Sequence, residues 1–108
     1  MIEYVLVHRV TNVVCTFGLG VTDLSLNELV HEYNFITYNP SKFAAGIIRN
    51  KTSRTSYLLF CTGAAVCMGA KMVETARYGS QMLCNYFLSP KFPFVMSDFR
   101  VRNVVGTM

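Results

Sequence analysis

Acidic side chains are scarce in this chain: Asp and Glu number six in 108 residues, against ten Lys and Arg, which leaves a formal net charge of +4. So few carboxylates offer no paired arrangement for general acid–base work. No Gly-rich phosphate loop or activated serine motif accompanies them. The four cysteines, Cys15, Cys61, Cys67 and Cys84, contain no C-x-x-C pair, and His8 and His31 stand far from them in sequence. A zinc site finds little support in that spacing, and both histidines read as exposed or hydrogen-bonded residues. No apolar run approaches the ~18 residues of a membrane-spanning helix. The opening stretch "MIEYVLVHRV" carries Glu3 and lacks a basic start with a small-residue cleavage site, so no signal peptide is expected. These absences argue against an enzyme, a metalloprotein and a membrane partner.

What remains is a short, apolar, mildly basic chain. At 52% hydrophobic residues it should fold, and its length suits one small domain burying roughly two-thirds of the surface of its unfolded chain. A pI near 9.0 is compatible with a polyanionic partner. Each cysteine sits in an apolar stretch and reads as a small buried hydrophobe in a reducing compartment.

The hydrophobic periodicity orders the elements. Residues 4–16, "YVLVHRVTNVVCT", alternate as a strand, with Val10, Asn12, Val14 and Thr16 on one face and Val13 and Cys15 on the other. Ser25-Leu26-Asn27-Glu28 is a capping box, and Leu26, Leu29, Val30 and Tyr33 repeat at helical spacing, so a short helix is expected over about 25–33. "NFITYNP" reads as a short strand stopped by Pro40. Three strands follow at "FAAGIIRNK", "SYLLFCT" and "AAVCMGA", separated by the hairpin breaks "TSRT" and "TG". From Lys71 to Phe87 a second helix places Val73, Ala76, Ser80, Leu83, Cys84 and Phe87 on one stripe, although Gly79 weakens it by about 1 kcal/mol relative to Ala. "SPKFP" ends that helix, and "VMSDFRVRNVV" resumes a strand. The order β-α-β-β-β-β-α-β predicts an α+β fold, an antiparallel sheet with its helices on one face.

Both faces of that sheet are apolar, whereas two helices cover only one. Tyr57, Leu59 and Cys61 oppose Ser56, Leu58 and Phe60, and Ala65 and Cys67 oppose Val66 and Met68. The uncovered set is Val14, Leu58, Phe60, Val66 and Met68, with Asn12 and Thr16 as its polar members. Such a patch is either a binding surface or a second core closed by another domain or a dimer mate.

One echo crosses the chain. "RVTNVVCT" begins at Arg9 and "RVRNVVGTM" at Arg100, about ninety residues apart. Together with "YNPSKFAAGIIR", "RTSYLLFCTG" and "GAK", in register along nearly the whole chain, these stretches resemble the TATA-box-binding protein family. That family is built from two pseudo-symmetric repeats shaped β-α-β-β-β-β-α. The resemblance implies that residues 1–95 form one repeat and residues 96–108 the first strand of a second. It implies half of a saddle, a curved antiparallel sheet with two helices on the convex face. It also implies nuclear localisation, no cofactor and no catalysis.

The expected partner is double-stranded DNA, held by its A·T-rich minor groove against the concave face. By position, Phe43 and Phe60 match the family's wedging phenylalanines, and Asn12 and Asn103 match the central asparagines that hydrogen-bond base acceptors. Val14, Leu58, Val66 and Val105 match apolar groove contacts, beside Thr16 and Ser56. Arg49 and Arg54 match basic residues near phosphates, assisted by Lys42 and Lys51. Three positions depart from the pattern. Ala64 stands where a phosphate-contacting Lys is usual, Met68 replaces a groove-facing Thr, and Ser53 replaces a Pro in the hairpin before Arg54. One lost phosphate contact flattens the salt dependence of binding by roughly one unit of slope. The other reading is an interaction module that joins initiation factors such as transcription factor IIA at the "NFITY" edge without binding TATA DNA itself. A single repeat would also invite pairing of two copies into a homodimer that imitates a full saddle.

Overall fold

The computed structural model describes residues 11–52, 54–87 and 92–106, and at 11 and 103–106 it describes the backbone alone. The start of the first strand at residues 4–10, Ser53, and the Ser89–Lys91 part of the second helix stop lie outside the described residues.

The strands are β1 (Thr11–Gly18), β2 (Ala45–Asn50), β3 (Thr55–Phe60), β4 (Ala64–Ala70) and β5 (Ser97–Gly106), with helices α1 (Leu26–Glu32) and α2 (Val73–Tyr86) between them. The strands form one curved antiparallel sheet in the order β2-β3-β4-β1-β5. Alternation decides which side chains go inward. Val13, Cys15 and Phe17 of β1, Tyr57 and Leu59 of β3, and Ala65 and Cys67 of β4 are buried on the helix side, while the residues between them are only half-buried.

Local chemistry sets the helix bounds. Ser25 adopts an extended backbone and its Oγ accepts the Glu28 N–H at 3.3 Å, which starts α1 and leaves Leu26 and Leu29 to bury. On α2 the predicted stripe turns inward: Ala76, Ser80, Cys84 and Phe87 are buried, and Val73 and Leu83 pack at its margin. Phe87 joins Tyr33 and Phe94 in an aromatic cluster, with ring centroids 4.7 and 5.1 Å from it. Among the described residues no helix is long and apolar enough to cross a membrane, and no cluster of His, Cys, Asp and Glu could hold a metal ion.

Two expectations are corrected. "NFITYNP" is not a strand but a single bridge, in which Thr37 and Ile47 exchange N–H···O bonds of 2.9 and 2.7 Å. The ladder stops because the chain turns at Asn39-Pro40. The Asn39 carbonyl accepts from Lys42 and Phe43, its side chain accepts from Ser41, and Pro40 has no N–H to give. The second correction concerns Cys61, which is exposed because it leaves β3 for the turn toward Gly63. The other three thiols are buried, and burial raises each of them, Cys84 to about 11.

Gly79, unfavourable for helix propensity, has a packing reason. A Cβ at 79 would collide with the hydroxyl of Tyr57, whose buried ring reaches the α2 backbone there. Gly79→Ala should therefore destabilise the fold by about 1–2 kcal/mol, since overpacking outweighs the propensity gained. In a Tyr57→Phe background the same substitution should cost nothing or stabilise, which a pair of thermal melts would show. The buried thiols carry a second expectation. Their neutral form is the folded one, so the unfolded chain ionises first as pH rises past the ordinary thiol value of 9.0. Stability contributed by Cys84 is complete below that pH and is lost progressively up to about 11. Denaturant melts at pH 8 and pH 10.5 should differ in that direction, and less so for Cys84→Ala.

Candidate nucleic-acid interface

The sheet face away from the helices is assembled by register. Ile47, Leu58, Val66, Thr16 and Arg100 are successive partners in one row across all five strands. A second row joins Arg49, Ser56 and Met68. Thr16, Ser56, Leu58, Val66 and Met68, all expected on this face, are half-buried there, as is Val14 between Thr16 and Asn12 on β1. Ile47 was missed from sequence, although its position two residues before Arg49 on β2 was the available signal.

The two phenylalanines come together although they lie on different elements. The Asn39–Lys42 turn carries Phe43 to the start of β2, and Ala45 pairs with Phe60 at the end of β3. Their rings meet edge to face at 6.4 Å between centroids, and Phe43 remains 46% exposed. Two aromatic rings thus stand at one end of the β2–β3 hairpin. The basic residues occupy its other end, five residues away along β3, or roughly 16 Å at strand rise. There Arg49, Lys51 and Arg54 are exposed, and Arg54 holds a positive φ of 58° at the turn. Lys42 lies at the aromatic end and Ala64 opens β4, both exposed.

Asn12 is oriented by a bulge. Between the pairs Val13–Ala70 and Cys15–Cys67 the single residue Val14 faces both Met68 and Gly69. Gly69, at φ 92°, turns its N–H to Asn12, whose Oδ1 accepts it at 2.8 Å. A backbone N–H must meet an oxygen, so this bond engages Oδ1 of the Asn12 amide and not its Nδ2 donors.

On the other side of β1, Asn12 pairs with Val105 and Val14 with Asn103. This exchange is that of a local twofold, since Asn103 and Val105 occupy in "RNVVGT" the places of Asn12 and Val14 in "TNVVCT". A second bulge leaves Arg102 unpaired opposite the Val14–Cys15 step. The Arg102 Nε donates to Thr16 Oγ1 at 2.8 Å, whereas Arg100 is tied to Asp98 at 2.9 Å. Neither arginine was singled out from sequence, because the bulge that brings Arg102 beside Thr16 has no signature in the pattern.

The geometry defines a class: a curved antiparallel sheet with helices on one side and, on the other, an apolar face bordered by aromatic and basic side chains. Residues 7–88 match the family described as "Transcription factor TFIID (or TATA-binding protein, TBP)". Over 99 residues the chain is 35% identical to TATA-box-binding protein 2 of Entamoeba histolytica, covering 92% of this chain and 46% of that protein. Over 102 residues it is 33% identical to the TATA-box-binding protein of Acetabularia peniculus, covering 94% and 53%. The solved structure of Methanococcus jannaschii TBP superposes with a TM-score of 0.73 at 21% identity, over 86% of this chain and 53% of that one. The chain therefore belongs to the TATA-box-binding protein family, one of transcription factors and not of enzymes. It spans about half the length of these relatives.

The Asn12–Gly69 bond is open to direct test. Asn12→Ala should cost about 1 kcal/mol and speed amide exchange at Gly69, because that N–H loses its acceptor. Asn12→Asp keeps an oxygen there and should preserve the protection, as read by hydrogen-exchange NMR.

Proposed function

We propose that this chain is a DNA-binding transcription-initiation protein of the TATA-binding type, acting in the nucleus through its helix-free face. The reading divides the chain into a first repeat, 1–95, and the opening strand of a second, 96–108. The observation that carries it is the Phe43–Phe60 pair standing at the end of an apolar face whose Asn12 is held by its Oδ1, which leaves the Nδ2 donors out of that bond. The minor groove of A·T pairs displays only acceptors, and a G·C pair adds a guanine amino donor. An apolar surface with sparse amide donors therefore accepts A·T steps and meets an unpaired amino group at G·C. Wedging Phe43 and Phe60 between base steps costs a few kcal/mol of unstacking per step, offset by ring burial and by the contacts that bent DNA makes. Asn12 and Asn103 serve as base-edge donors, and Val14, Leu58, Val66, Met68 and Val105 as the apolar groove lining. Thr16 and Ser56 add hydroxyls, and Arg49 and Arg54 neutralise phosphates.

A second reading has one observation in its favour. The residues around Thr37 bridge β2 at one point and leave Phe35 45% exposed at this margin of the fold. An extended segment of a factor IIA-like protein could continue the sheet there by strand addition.

A gel shift on a TATA duplex separates the two. The DNA reading expects a retarded, bent complex that Phe60→Ala or Phe43→Ala weakens at least tenfold. Absence of binding, with factor IIA retained in a pull-down, would select the interaction module instead.

A further inference from the structure

Resting on the DNA reading above, we infer that Arg102 is an additional groove reader, placing a positive charge over β1 on the DNA face and donating to base acceptors on the groove floor. Four observations combine. The β5 bulge sets Arg102 outside the strand pairing and lays its side chain over β1 on the open face. Its Nε is committed to Thr16 Oγ1 at 2.8 Å, which fixes the plane of the guanidinium and leaves the Nη donors for a ligand. Among the described residues the one ion pair joins Arg100 to Asp98, so no carboxylate of the described residues neutralises Arg102. Its partner Thr16 lies in a row that runs on through Val66 and Leu58, and the one cation of that row, Arg100, is already held by Asp98.

A full charge on such a surface selects its ligand. Pressing a guanidinium against an apolar protein face would strip its water without return, so the position disfavours a hydrophobic partner. The minor groove of A·T-rich DNA offers the opposite environment, a negative potential that attracts inserted arginine and a floor of N3 and O2 acceptors. Thr16 in this arrangement is a positioning residue: it touches the guanidinium and holds the Nη edge toward the groove. Asn12 and Arg102 then flank Val14 with donors, one neutral and one charged.

The test is fluorescence anisotropy of the 108-residue chain with an A·T-rich duplex across a salt series. Arg102→Gln should weaken binding about tenfold at moderate salt and reduce the slope of log K against log salt by about 0.9, the value for one neutralised phosphate equivalent. Thr16→Val should weaken binding severalfold and leave the slope intact, since the charge stays but its orientation is lost. Replacing adenine by diaminopurine, which adds an amino group to the groove floor, should weaken the unaltered chain more than Arg102→Gln. An Arg102→Gln chain with unchanged affinity and slope, beside a Phe60→Ala chain that has lost binding, would overturn the inference and leave the wedge reading intact. A slope change in Arg102→Gln with Phe60→Ala neutral would uphold the charge and sink the wedges. Failure of the unaltered chain to bind any duplex would sink both.

Discussion

The organising constraint is an imbalance of cover. The sheet is apolar on both faces, and α1 and α2 can shield only one. Every strand through the centre alternates between the core and the open side: Val13, Cys15 and Phe17 against Asn12, Val14 and Thr16, Tyr57 and Leu59 against Leu58 and Phe60. The covered face supplies the burial that holds the fold, including three thiols kept neutral by desolvation. The open face keeps an apolar surface in water, a cost that a covering partner would offset.

Polar groups on that face are few and are oriented by backbone irregularities. The β4 bulge turns the Gly69 N–H out of the ladder and uses it to aim Asn12. The β5 bulge displaces Arg102 onto Thr16. Both irregularities border β1, the strand that pairs on one side with β4 and on the other with the echoing strand β5. The reciprocal pairing of Asn12 with Val105 and Val14 with Asn103 makes this border a local twofold. On the proposed DNA reading, that seam matches the approximate twofold symmetry of a duplex.

Much of the architecture was legible in the residues. Strand alternation placed each of the open-face residues 56, 58, 60, 66 and 68, and the Ser25 cap and the α2 stripe placed both helices to within two residues. The misreadings share a cause. The 34–40 segment has strand-like composition, yet its ladder depends on what Asn39 and Pro40 do next, and a turn ended it after one bridge. Cys61 continued an apolar pattern but fell one residue beyond the last paired position. In both cases hydropathy measures a side chain's preference, whereas the extent of a strand is decided by backbone pairing.

Sequence by itself therefore determined the order of elements, the two-faced character of the sheet and, through its motifs, membership of the TATA-box-binding protein family. These rest on periodicity and on local contacts, which short stretches of chain encode directly. Only the tertiary structure decided that Phe43 and Phe60 meet, that Gly79 makes room for Tyr57, that Asn12 takes the Gly69 N–H, and that Arg102 reaches Thr16. Each of those joins residues from separate elements through register, bulge or close approach, and such distances are fixed only once the strands have paired.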